Sequence, residues 1–286
     1  MLVALTLRFL RALSPARQRV LARALAVFAW ALHIRRAVAL DNVRRAFPEL
    51  PAAEHQRIAR ASYDSMALAA LESVTSDQLD DAALAAAVEV PDWKGLDGLL
   101  AAKQPVLIAS AHFGSWELFA EVMARRGVAL SAVVRPLRGA FNQAVIANRV
   151  GAGLELILQR GALRKMLAAL KRGRVVVQLI DQALPSAQAV WVPFFGRPAS
   201  TTPALSMAAL HTGAPVYVVA AVRVGDRLRM ELDGPVPLPL EGTRDERIAA
   251  HTAALTALLE RRIRAHPEQW LWLHRRWKGT PPAHIR

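Results

Sequence analysis

Residues 105–118 read Pro105-Val-Leu-Ile-Ala-Ser110-Ala-His112-Phe-Gly-Ser-Trp-Glu117-Leu118. Val106, Leu107 and Ile108 are the filling of a buried strand. Gly114 permits a sharp turn, Ser115 is suited to capping a helix, and 115–126 is helix-like. A histidine and a carboxylate therefore stand where a strand hands over to a helix, and in open α/β sheets ligands bind at the carboxyl ends of strands. On one straight helix a five-residue separation would turn His112 and Glu117 about 140° apart. They meet only if His112 lies in the turn and Glu117 on the first helical turn. Taken alone, the spacing also describes a turn histidine and a glutamate favouring the helix dipole.

The same alternation continues outward. Strands are expected at 105–110, 128–135, 154–158, 174–180 and 215–223, with 228–234 as an antiparallel partner. Helices are expected at 115–126, 139–150, 161–172 and 203–212, and a last long helix from Asp245 to His266. In the charge-free run from Pro198 to Val222, Thr202 caps a helix, Pro203 opens it and Gly213 ends it. The fold class is α/β, with a mixed, mostly parallel central sheet flanked by helices. Residues 37–90 are helical throughout, interrupted at Pro48 and Pro51.

Residues 1–36 form two basic amphipathic helices. Leu2, Leu5, Phe9 and Leu13 mark the first stripe; Leu21, Leu25, Phe28 and Leu32 mark the second. Arginines 17, 19, 23, 35 and 36 surround it, a pattern that suits a helix lying in an anionic bilayer interface. Ordinary packing on the domain is the other reading. The expected division is 1–36 as membrane-associating helices and 37–286 as the main domain. No signal peptide is evident, and the apolar run Ala24–Ile34 is shorter than the ~20 residues a span needs.

The chain has 286 residues, with 37 Lys plus Arg against 23 Asp plus Glu, a formal charge of +14. Such a balance points to an anionic partner: nucleic acid, an anionic membrane surface, a phosphorylated substrate or an acidic carrier protein. The sequence contains no cysteine, which excludes disulfides, thiolate catalysis and zinc–thiolate sites. No His-Glu-x-x-His pattern or other metal-ligand spacing occurs, so neither metal nor cofactor is expected. Basic residues are scattered, and no nucleic-acid-binding module is visible.

Six blocks in order resemble the lipid A biosynthesis acyltransferases of the lauroyl and myristoyl transferase type. They are Asp41-Asn42-Val-Arg-Arg-Ala-Phe47-Pro48-Glu49; His112 to Glu117; Val134-Arg135-Pro136 with Asn148-Arg149; Lys171-Arg-Gly173 with Ile180-Asp181-Gln182; Val192-Pro-Phe-Phe-Gly-Arg-Pro198; and 267–277. This chain has Ser115 where the family usually has asparagine, and many members carry a cleaner N-terminal membrane helix. Glycerol-phosphate acyltransferases share a His-x4-acid pair but normally use aspartate and a Phe-Pro-Glu-Gly-Thr block; here Glu241-Gly-Thr-Arg244 lacks the Phe-Pro.

The resemblance implies a glycerolipid-acyltransferase-like sheet. It also implies transfer of an acyl chain from acyl carrier protein or acyl-CoA to a hydroxyl of a lipid A precursor, with no covalent intermediate. His112 would be the general base and Glu117 would orient its imidazole. The missing serine elbow fits direct attack by the acceptor. Arg135, Asp181, Arg149 and Arg160 are the candidate substrate contacts, with Asp181 bonding a sugar hydroxyl or holding Arg135. A monomer on the cytoplasmic face of the inner membrane is expected. Another glycolipid or lysophospholipid as acceptor, or a basic peripheral membrane or nucleic-acid-binding protein, are the rival readings. His211, His251 and His274 read as structural.

Overall fold

A computed structural model describes residues 2–93, 95–135 and 139–283; Pro136 of the third block and the side chain of Leu2 lie outside the described residues. The elements are α1 (Leu2–Arg11), α2 (Pro15–Ala31), α3 (Arg36–Ala46), α4 (Ala52–Thr75), α5 (Asp81–Ala87), β1 (Val88–Glu89), α6 (Leu96–Ala101), β2 (Val106–Ser110) and α7 (Trp116–Arg125). They continue with β3 (Leu130–Val134), α8 (Ala140–Gly151), β4 (Glu155–Leu158), α9 (Ala162–Lys171), β5 (Val175–Leu179), β6 (Val190–Phe194), β7 (Arg197–Thr201), α10 (Ala204–Thr212), β8 (Val216–Val224), β9 (Arg227–Asp233) and α11 (Arg244–Ala265).

Seven strands form one sheet in the order β1-β9-β8-β2-β5-β3-β4. The neighbours are parallel except β8 and β9, which pair antiparallel, as 228–234 led us to expect. β2 lies at the centre, buried along its whole length. Its side chains alternate between two cores, because successive residues of a strand point to opposite faces. Leu107 and Ala109 pack with α3, α4, α9, α10 and α11. Val106 and Ile108 pack with Leu118, Phe119 and Val122 of α7. A strand covered on both faces needs an unbroken apolar run, and this is why 105–109 has one.

The sequence reading missed the hairpin of β6 and β7, which pair antiparallel from Val190–Thr201 to Phe194–Arg197. Its two-residue turn puts both Phe195 and Gly196 at positive φ, 51° and 69°. Asn-Gly or Asp-Gly usually announces such a turn, and phenylalanine at the first position hides it. Its compensation is burial: the Phe195 ring lies under the Arg264 guanidinium, 4.4 Å from the centroid, and its N–H donates to Glu260.

Of the N-terminal helices, α1 packs through Leu10 and α2 through small side chains. Ala22 and Ala26 of α2 and Leu10 of α1 are buried, whereas Leu5, Phe9, Val20, Leu25, Val27, Phe28, Leu32 and Ile34 stay exposed. Alanines let two helices approach closely and leave the larger apolar side chains on the outer face. Arg11 latches α1 to Asp77 at 2.9 Å and Asn148 at 3.0 Å; Arg19 latches α2 to Asp226 at 2.9 Å. No helix among the described residues is long and apolar enough to cross a membrane.

Candidate active site

The adjacency of β2 and β5 builds the site. Their register pairs Ser110 with Leu179, so the loops that follow leave the sheet side by side. His112 and Asp181 each lie two residues past those positions, and they meet. The Asp181 carboxylate accepts from His112 Nδ1 at 2.9 Å and from the His112 backbone N–H at 2.9 Å. Trp270 Nε1 donates a third bond at 2.8 Å. Asp181 is buried, whereas the His112 side chain is 23% exposed. With Nδ1–H committed to Asp181, the Nε2 lone pair accepts from the Gln182 side-chain amide at 3.3 Å. The bonding network fixes the tautomer.

Burial alone would raise the Asp181 carboxyl, but the neighbouring His112 charge and the bonds from His112 and Trp270 outweigh it and hold the group below its ordinary value. Asp181 therefore takes the place we had expected for Glu117. The carboxylate of Glu117 points elsewhere: it accepts from Trp116 Nε1 at 2.8 Å and from Arg149 Nε at 2.9 Å. The first turn of α7 carries Glu117 away from the imidazole and toward α8. The link between them is Trp116, whose indole donates to Glu117 and whose ring meets His112 edge-on, 5.1 Å between centroids.

Arg149, expected on substrate phosphate, is joined to Glu117 by both guanidinium prongs. Burial disfavours its charge, yet the pairing outweighs this and holds the proton more tightly than usual. Arg135 follows β3 and Arg160 follows β4; both are exposed at the carboxyl edge of the sheet. Asp181 does not hold Arg135; it holds His112. Ser115 precedes α7 at the cap position, but its buried hydroxyl makes no hydrogen bond. Ser110 Oγ is occupied, donating to Val219 O at 2.8 Å. Among the described residues, no three His, Asp or Glu side chains cluster closely enough to hold a metal ion.

Gly114 lies between His112 and the helix at φ +54°, and a Cβ there would sit 1.7 Å from Ala221 O. Only glycine permits this approach of loop to β8.

The tail 269–276 braces the site from the other side. Gly114 N–H donates to Gln269 O at 2.9 Å and Leu271 N–H to His112 O at 3.1 Å. His274, which read as structural, reaches Asp181's loop: its Nε2 accepts from Ala183 N–H at 3.1 Å. Asn42 of the first block holds the tail, donating to Trp272 O at 2.6 Å and His274 O. Arg276 is wholly buried, bonded to Ser200 O and Thr201 Oγ1 at 2.6 Å each. Sequence alone marked the tail as the last of the six blocks of the resemblance and gave it no contact with His112 or Asp181. His251 is buried against Ser206, 2.9 Å away.

Burial, with the nearby His112, Arg276 and Arg35 charges, pushes His274 down to about 4 despite Asp181. A histidine depressed in the folded state binds fewer protons there than when unfolded, so stability falls as pH drops from its ordinary 6.5 towards about 4. His251, depressed by burial, acts in the same direction. Asp181 adds a loss only at lower pH, where it titrates below the carboxylate range. His274→Gln keeps an acceptor for Ala183 and has no charge to gain. It is expected to flatten the stability slope across that window; chemical denaturation at a series of pH values measures it, and an unchanged slope contradicts the assignment.

Residues 1–279 match the family model described as bacterial lipid A biosynthesis acyltransferase. The chain is 28% identical over 254 residues to the lipid A biosynthesis palmitoleoyltransferase of Escherichia coli K12, covering 86% of this chain and 80% of that protein. It is 27% identical over 242 residues to the lipid A biosynthesis lauroyltransferase of the same organism, covering 84% and 78%. A lipid A biosynthesis acyltransferase of Haemophilus influenzae matches at 24% over 254 residues, covering 86% and 78%. With the model spanning nearly its whole length, the chain belongs to the bacterial lipid A biosynthesis acyltransferases.

Proposed function

We propose that this enzyme moves a fatty acyl chain from an acyl carrier protein or coenzyme A thioester to a hydroxyl of a lipid A precursor, with His112 as the general base. The observation that carries the reading is the Asp181-held imidazole of the partly exposed His112, whose Nε2 is left to the neutral Gln182 amide. Nε2 takes the acceptor's hydroxyl proton as that oxygen bonds to the thioester carbonyl carbon. The tetrahedral intermediate then expels the thiolate, which receives the proton from Nε2. Asp181 stays ionised throughout and steadies the imidazolium. No protein nucleophile is required. Glu117 and Arg149 act as a pair that fixes Trp116 against His112, and the exposed Arg135 and Arg160 suit the phosphates of the acceptor.

The outward apolar side chains of α1 and α2 are suited to a bilayer interface, with the flanking arginines at the headgroups. Lipid substrates then reach the site from the membrane surface.

The test is transfer of a radiolabelled acyl chain by the purified protein. Labelled acyl carrier protein and acyl-CoA are offered separately with a phosphorylated glucosamine disaccharide lipid. Label on that disaccharide is the expected product. Label found only on a lysophospholipid or another glycolipid, offered in parallel, rejects the acceptor. Placing charge on the outer face, Phe28→Glu with Leu32→Glu, is expected to abolish co-sedimentation with anionic vesicles; undiminished binding rejects the interface.

A further inference from the structure

Between α2 and α4 lies an open pocket of about 320 Å³ lined by Arg23, Ala26, Val27, Arg60 and Asp64. The neighbouring arginines one turn back on each helix are paired, Arg19 with Asp226 and Arg57 with Glu54. Arg23 and Arg60 are different: among the described residues neither has an ion pair or hydrogen bond. Asp64 is likewise without an ion pair, although both guanidiniums lower its carboxyl against the larger upward push of burial. Two cations and one anion thus face one pocket without closing on each other, and one positive charge is left over.

We propose that this pocket binds the phosphodiester of an anionic membrane phospholipid, with Arg23 and Arg60 as the two arms of the clamp. The surplus charge of one matches a phosphodiester's single negative charge, and two guanidiniums present the donors that phosphate oxygens need. The rim supplies the rest of the argument. Val27 lines the pocket and is 47% exposed; Val20 and Phe28, at 72% and 62%, continue the same outer face of α2. An anionic head beside an uncovered apolar face is the shape of a lipid at an interface, not of a free ion. Asp64 sets the affinity: its carboxylate competes for the same guanidiniums and keeps the pocket from holding every anion tightly. The inference rests on the proposed contact of α2 with the bilayer for the source of the ligand, and on the pocket's own charges for recognition.

Two measurements on the full chain test it. One is binding of dihexanoyl phosphatidylglycerol below its micellar concentration. The other is co-sedimentation with phosphatidylcholine vesicles, with and without phosphatidylglycerol. Arg23→Gln with Arg60→Gln is expected to weaken both about tenfold. Asp64→Asn is expected to tighten both severalfold, a change of sign that loss of structure does not produce. Arg126→Gln with Arg164→Gln removes the same charge from exposed positions elsewhere. If that control weakens binding equally, diffuse charge is responsible, and if Asp64→Asn does not tighten it, Asp64 does not compete for the guanidiniums; either result overturns the pocket. Displacement of the soluble lipid by equimolar inorganic phosphate, or by the disaccharide acceptor in preference to phosphatidylglycerol, overturns the phospholipid as occupant. If the soluble lipid binds as described but vesicles do not, the clamp stands and the bilayer contact of α2 falls.

Discussion

His112→Ala is expected to lower kcat for acyl transfer by about 10²–10⁴ while leaving the fold intact. The side chain is partly exposed, and its removal leaves Asp181 with the Trp270 indole and its own backbone donor from residue 112. The buried carboxylate is therefore not stranded, and the melting temperature should move little. Asp181→Asn tests the other half of the dyad. A carboxamide turned to donate to Nδ1 would move the imidazole proton onto Nε2, where the acceptor's proton has to go. Losses of up to ~10⁴ follow from holding the wrong tautomer. Single-turnover transfer of label, with circular dichroism as the check on folding, measures both variants. Wild-type rates in either one would sink the base assignment.

Arg149→Ala is expected to cost roughly 3 kcal/mol of stability and most of the activity. It leaves the Glu117 carboxylate buried with the Trp116 indole as its remaining donor. Breaking a fully buried pair costs ~3–5 kcal/mol; the lower end applies because Arg149 is 20% exposed. The double replacement Glu117→Leu with Arg149→Met separates structure from chemistry. Removing both charges should restore most of the stability, since an unpaired ion is no longer buried. Activity should stay low, because nothing then holds Trp116 against His112. Recovered activity in the double variant would show that the pair serves the fold alone. Urea denaturation and the labelled-acyl assay together give the answer.

Much of the sheet was legible because its strands are short apolar runs separated by glycine and helical periodicity. The expected segments at 105–110 and 154–158 differ from β2 and β4 by one residue at the start, and 174–180 differs from β5 by one residue at each end. His112 was legible for the same reason: it follows a strand that could only be buried. Its partner was not. Strand order places β5 beside β2 while β3 and β4 lie beyond it, and nothing local to 105–118 or 174–182 encodes that neighbourhood. The carboxylate nearest in sequence, Glu117, was therefore expected against His112, where the sheet puts Asp181. The helical stripes of residues 1–36 were read correctly as apolar, but the side that packs is decided by Ala22 and Ala26, the least conspicuous residues there. His274 escaped for a similar reason. Its work is one bond to a main-chain N–H far away in sequence, and no spacing announces such a contact.

The bracing of His112 and Asp181 by residues 269–276 also orders events in time. Every strand, and every other residue that touches His112 or Asp181, precedes this segment along the chain. A ribosome that has released all seven sheet strands has still not delivered the indole that bonds Asp181 or the main chain that pairs with His112. The pairing of His112 with Asp181 is thus not fully braced in a nascent chain until the segment after α11 has docked.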